Sequence, residues 1–293
     1  MPQITANGIQ IEFETYGDPA HPPLLLVMGL GAQLTLWPIE LVEALVARGY
    51  YVIRHDNRDI GLSEKFGHHG VPNVKRIALM NLLRIKPRTP YSLADMAADA
   101  AGLLDALGIE RAHVVGASMG GMIVQLMAVN HPDKLLSMTS IMSTTGNRRL
   151  PPPKKAAMNA LLNRAPANAT LDQVIPIGIR VARAIGSPAY PAAEARLRAN
   201  IERDYKRSFY PEGAARQISA IIADGDRRQR LKGVTTPTLV IHGADDPLVP
   251  VEGGRDTAAH ITGAKLIEVP GMGHDLPLEL VDTIADAIAE HAR

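Results

Sequence analysis

The sequence predicts an α/β fold: a mostly parallel central sheet flanked by helices on both faces, broken once by a helical insertion. Three observations predict it. Short apolar runs alternate with amphipathic stretches through the first half of the chain, with brief loops between them. One run, Val114-Val115, passes straight through Gly116-Ala117-Ser118-Met119-Gly120 into a helical apolar pattern. The alternation stops after residue 145 and resumes at Pro237, and the Ala- and Arg-rich residues between carry helical but no strand signal. The expected division is a core of residues 1–145 and 233–293 with an insertion at 146–232.

The elements follow in order. Residues 4–16 alternate around Asn7-Gly8, a two-residue hairpin signal. Residues 22–29 and 51–56 read as buried central strands. Between them, 37–48 is amphipathic and forms the first packing helix, with Trp37, the only tryptophan, in the core. Residues 64–90 break the rhythm as a basic, apolar segment, a candidate wall of the site. Ser92 and Asp95 make a capping-box pattern, and Leu93, Met96, Ala97, Ala100, Leu104 and Leu107 keep one helical face until Gly108. Met119, Met122, Ile123, Leu126 and Met127 mark the next helix, stopped by Asn130-His131-Pro132. A strand at 137–143 leads to a stiff linker, Arg148-Arg149-Leu150-Pro151-Pro152-Pro153. Arg148, Arg149, Lys154 and Lys155 form a charge run read as a solvated face. Residues 237–243 and 264–270 are the last two strands.

The run from Gly116 to Gly120 is a G-x-S-x-G in the context a nucleophile elbow needs. A serine hydroxyl is a poor nucleophile until a base takes its proton and donors hold the oxyanion that forms. Small residues two positions either side of Ser118 let a tight turn lift the hydroxyl off the sheet, and Gly121 lets the helix approach closely. The elbow predicts the order serine, acid, histidine along the chain. Asp245 and Asp246 both follow the strand at 237–243, beyond its carboxyl end. The strand at 264–270 runs into Gly271-Met272-Gly273-His274, where glycines let a loop carry the imidazole toward Ser118. His274 would take the hydroxyl proton and return it to the leaving group, so the rate should rise with pH as it loses its proton. Of the ten histidines, His113 and His242 read as core or supporting residues, and His68, His69, His260 and His291 as surface. The expected oxyanion donors are the backbone N–H of Met119 and that of Leu30, in the Met28-Gly29-Leu30-Gly31-Ala32 loop.

Bulk composition narrows the classes. The 293 residues allow a large core, with about 75% of the unfolded surface buried. The formal net charge is +1, from 31 basic and 30 acidic side chains. That balance argues against nucleic acid or an anionic membrane as the main partner. There is no cysteine, so disulfides are excluded, and no ligand cluster suggests a metal. The start shows neither the charged nor the apolar region of a signal peptide, and no run approaches a membrane span. A cytoplasmic protein with no cofactor is expected, and no oligomeric interface is legible.

Met28-Gly29, the stretch His55-Asp56-Asn57-Arg58-Asp59-Ile60-Gly61-Leu62-Ser63, the elbow through Gly121 and the Gly271-to-His274 turn together resemble the α/β-hydrolase family over nearly the whole chain. Within it they look like the branch containing aclacinomycin methyl esterases and related carboxylesterases. The resemblance implies the α/β-hydrolase fold and a catalytic set of Ser118, Asp246 and His274, with Leu30 and Met119 as backbone donors. Asp246 is preferred over Asp245 because family members place the acid at G-x-x-D spacing, here from Gly243. It implies that the insertion is a helical cap shaping the substrate pocket, with Met158, Leu161, Leu162, Ile175, Ile177, Ile179 and Val181 as linings or simply cap core. Met28 stands where a histidine is commoner, and residues 56–63 read as structural. The activity implied is cleavage of a carboxylic ester through an acyl-enzyme, with a small-molecule ester as partner. The same machinery would serve a hydrolase of lactones, amides or C–C bonds, a perhydrolase or an acyltransferase. A receptor-like member without turnover is the remaining alternative. Dehalogenase and epoxide hydrolase activities are disfavoured, because family members with those activities carry Asp at the elbow.

Overall fold

Asn7 and Gly8 both take positive φ, 49° and 78°, as a two-residue hairpin turn demands. They join β1 (Gln3–Ala6) to β2 (Ile9–Tyr16) in antiparallel register. The computed structural model describes residues 2–83, 85, 87–162 and 165–293. The strands that follow are β3 (Pro23–Val27), β4 (Tyr51–His55), β5 (Ala112–Ala117), β6 (Leu135–Ile141), β7 (Thr238–Gly243) and β8 (Lys265–Val269). Among the described residues they form one sheet in the order β1-β2-β4-β3-β5-β6-β7-β8. β4 through β8 run parallel, and only β1 and β2 are antiparallel to their neighbours.

The chain builds outward from β3 in one direction to β4, then crosses back to place β5 on the other side. Strand order reverses there, and in open α/β sheets the carboxyl ends of the strands at such a switch point are where sites form. That topology alone selects the location of the site.

Alternation within the strands explains the two-faced burial. Leu25, Val27, Ala112 and Val114 point into one apolar core, beneath α3 (Leu93–Ala106) and α4 (Met119–Asn130). Leu24, Leu26, Val115 and Ala117 point into the other, beneath α1 (Ile39–Ala47) and α11 (Val281–His291). Trp37 is fully buried in the second core. Ser92 and Asp95 form the expected capping box at the head of α3. The helix α4 departs from a one-faced reading: Met119 through Ala128 are all buried, Gln125 included.

The segment 64–90 contains α2 (Val74–Leu82) among its described residues; Arg84 and Lys86 lie outside them. One face of α2 buries Ile77, while Leu79 and Leu82 face outward, followed by exposed Leu83 and Ile85. No hydrogen bond joins its described residues to Ser118 or His274. Between β6 and β7 come α5 (Lys155–Leu162), α6 (Leu171–Ile185), α7 (Glu194–Arg207), α8 (Pro211–Asp224) and α9 (Arg228–Leu231). α10 (Glu252–Ala259) completes the set. No helix among the described residues is long and apolar enough to cross a membrane.

Candidate active site

β5 ends at Ala117 and α4 begins at Met119, so one residue must turn the chain. Ser118 does so with φ 58° and ψ −117°, a conformation L residues avoid unless surrounding contacts impose it. Here its N–H donates to Ile141 O at 2.9 Å, and Ser143 Oγ donates to its carbonyl at 2.8 Å. A Cβ on Gly116 would lie 2.2 Å from Gly120 O, and one on Gly120 would lie 2.0 Å from Val27 O. Only glycine permits strand, turn and helix to converge so closely.

The structure brings three sequence-predicted side chains together. Ser118 Oγ lies 2.9 Å from His274 Nε2, and His274 Nδ1 lies 2.7 Å from Asp246 Oδ2. A carboxylate only accepts, so Nδ1 carries the ring proton and Nε2 is left to accept from the serine hydroxyl. Asp246 is fixed in turn: its Oδ1 accepts the Leu248 and Val249 N–H groups, each at 2.8 Å. Asp245 faces elsewhere, its Oδ2 accepting the Gly271 N–H at 2.9 Å. His242, fully buried on β7, lies 3.6 Å from Asp246 Oδ2 and donates Nε2–H to Val249 O at 2.8 Å. Burial pushes its pKa down, so the ring is neutral and adds no charge beside the carboxylate. His113 is also buried, on β5, and His68 and His69 are exposed. His260 and His291, expected at the surface, are half-buried.

The two expected donors belong to segments that lie beside the serine. The Met119 N–H opens α4, where the helix dipole favours negative charge. The loop with Leu30 passes close by: a Cβ on Gly29 would lie 3.1 Å from Ser118 Cβ. This loop is braced at both ends. Asn57 Nδ2 donates to Met28 O at 2.8 Å, and the Gly31 N–H donates to Gln217 Oε1, on α8, at 2.8 Å.

Residues 56–63 are wired as expected of a structural stretch, but their partners reach far. Asp56 accepts from the Leu34 and Leu62 N–H groups and from Arg207 Nη1. Asp59 pairs with Arg216 at 2.7 Å, both side chains essentially solvent-free. Arg207 and Arg216 belong to α7 and α8, so these pairs anchor the helical insertion to the rim of the sheet. Sequence reasoning missed Gln217, Arg207 and Arg216. Gln217 and Gly31 are 186 residues apart, and no local pattern marks either as a partner. Of the suggested pocket linings, Leu162 is exposed. Ile175 and Ile179 line a groove of about 620 Å³ on α6 and α7, with Arg180 and Arg183 among its other walls. Ser118 and His274 are not in it.

A family model described as the alpha/beta hydrolase fold matches residues 22–279. The chain belongs to the α/β-hydrolase fold family. Among curated α/β-hydrolases it is 31% identical to the rhodomycin D methylesterase DnrP of Streptomyces peucetius, over 99% of this chain and 97% of the other. Among solved structures it is similar to the enol-lactonase of Burkholderia xenovorans LB400, with TM-score 0.71, 26% identity and 99% of each chain covered. The meta-cleavage product hydrolase CumD of Pseudomonas fluorescens IP01 superposes with TM-score 0.77 at 20% identity, covering 99% of this chain and 97% of that one. That last likeness concerns the fold alone. The fold class and family expected from the sequence are both borne out.

Proposed function

We propose that this α/β-hydrolase cleaves carboxylic esters through an acyl-enzyme, with Ser118 as nucleophile, His274 as general base and acid, and Asp246 as the orienting carboxylate. The observation that carries this reading is the unbroken chain from Ser118 Oγ through both ring nitrogens of His274 to Asp246. Ser118 Oγ attacks the ester carbonyl as its proton passes to His274 Nε2. The N–H groups of Leu30 and Met119 hold the resulting oxyanion, each worth about 3–4 kcal/mol in the transition state. Collapse expels the alcohol with the proton from His274. Water, deprotonated by the same nitrogen, then attacks the acyl-enzyme and releases the acid.

Residues 1–145 and 233–293 form the catalytic core in this reading, and 146–232 form a cap. Since Asp56 and Asp59 hold the cap through buried ion pairs, it acts as a fixed wall that excludes water rather than a swinging lid. A methyl ester is the first substrate to test, because DnrP is named a methylesterase. A lactone is the cyclic form of the same bond, and the likeness to an enol-lactonase supports including it. The test pairs fluorophosphonate labelling with a panel of methyl esters, p-nitrophenyl esters and lactones. Labelling at Ser118 with turnover of open-chain esters is expected. Labelling without turnover of any ester or lactone would favour a receptor-like role, and no labelling would sink the nucleophile.

A further inference from the structure

His274 stands five residues beyond the end of β8, on a turn with no regular structure of its own. The ester-hydrolase reading requires its imidazole to hold hydrogen-bond distance from Ser118, so something must fix that turn. Part of the support is local: Asp246 holds Nδ1, and the Met272 N–H donates to Val269 O at 3.3 Å. The rest comes from the insertion. The His274 N–H donates to Ile185 O, at the last residue of α6, at 2.7 Å. The Gly273 N–H donates to Ser187 Oγ at 2.8 Å. The same hydroxyl donates onward to Asp275 Oδ1 in a short contact, and the Ser187 N–H donates to that oxygen at 3.0 Å. The Ala189 N–H donates to Gly271 O at 3.2 Å. The two segments touch so closely that a Cβ on Gly273 would lie 2.5 Å from Gly186 O.

We propose that Ser187, carried by the helical insertion, is a positioning residue for His274, fixing with Asp275 the turn that sets the imidazole over Ser118. The inference rests on the catalytic reading above and adds a dependence of the base on the insertion. Ser187 is buried at 3% exposure, so its hydroxyl has no water to fall back on. It accepts from one neighbour of His274 and donates to the other, which ties both flanks of the base to one atom. Losing it would free the turn to shift, and small misplacements of a catalytic group are costly. Asp275 adds a charge effect. Burial raises its pKa, while the two Ser187 hydrogen bonds oppose that rise. His274 and Asp246 are the other titratable groups acting on it. In its charged form Asp275 favours the imidazolium that forms during the reaction.

The test uses p-nitrophenyl acetate and full pH–rate profiles on Ser187→Ala, Ser187→Thr and Asp275→Asn, with Ile288→Val as a core variant of reduced stability. Ser187→Ala is expected to lose about tenfold or more in kcat with KM within about twofold, equivalent to one misaligned hydrogen bond in the transition state. Ser187→Thr, which keeps the hydroxyl, should recover most of it. Asp275→Asn keeps the shape but not the charge, so the imidazolium loses a favourable neighbour and kcat should fall with KM held. If Ser187→Ala and Asp275→Asn lower Tm as Ile288→Val does while kcat stays put, the role is only structural and the proposal falls. Asp275→Asn is isosteric and decides the matter if Ser187→Ala does not fold. Fluorophosphonate labelling of the wild type separates the two readings. An unlabelled Ser118 overturns the catalytic reading, whereas a labelled Ser118 with full activity in both variants overturns only this one.

Discussion

At the scale of single residues, the site is a set of atoms each held by something with no chemistry of its own. Ser118 keeps a positive φ because Ile141 and Ser143 bond its backbone, and Asp246 faces His274 because two N–H groups hold its other oxygen. Ser118→Ala should reduce ester turnover below about a thousandth of wild type with far-UV circular dichroism and Tm unaltered; higher residual activity contradicts a serine nucleophile. The adjacent acids separate cleanly. Asp246→Asn leaves the amide to stabilise the wrong tautomer of His274, and kcat should fall by about 10⁴. Among the described residues the Asp245 carboxylate bonds only the Gly271 N–H, so in Asp245→Asn kcat should stay within about tenfold. Steady-state kinetics on both variants checks the assignment, and a larger loss at Asp245 would reverse it. The candidate nucleophile was readable from five consecutive residues, because an elbow is a local geometry. The choice between the two acids needed the direction of a side chain.

At the scale of elements, local signals located the strands and helices but misjudged some of their surroundings. The Ser92–Asp95 capping box needs only four residues to form and was legible as such. Ser92→Ala should cost about 1 kcal/mol, read as a drop in urea midpoint at unchanged m-value. The helix α4 shows one apolar stripe in sequence, yet it is buried all round because α3 and the insertion cover its second side. Buried Gln125 there receives Arg227 Nε at 3.0 Å. The insertion's attachments were invisible, since each pairs residues far apart in the chain. Breaking one is costly: Arg216→Ala would strand Asp59 as an uncompensated buried carboxylate, and about 3–5 kcal/mol of stability should be lost. Chemical denaturation measures this, and a loss under about 1 kcal/mol would show that water reaches the site.

For the molecule as a whole, the sheet's order places the site and its buried histidines set its acid tolerance. Burial pushes both His55 and His113 down to about 4. The unfolded chain therefore binds protons that the fold refuses, and stability falls as pH drops from the ordinary histidine value of 6.5 toward about 4. Each histidine contributes up to about 3 kcal/mol to that loss. Urea midpoints should fall between pH 7 and pH 5, less steeply in His113→Asn; a flat profile would mean these rings are solvated. The sequence by itself determined the fold class, the order of strands and helices, the elbow at Ser118 and the glycine-flanked His274. All of these are written in periodicity and turn chemistry, which act over a few residues. Only the tertiary structure decided that Asp246 rather than Asp245 meets the imidazole, and that Gln217 and Ser187 reach across from the insertion to the loops around Ser118. Such contacts depend on where two distant backbones come to rest, and no local preference of a residue encodes the position of a partner it meets only after the chain has folded.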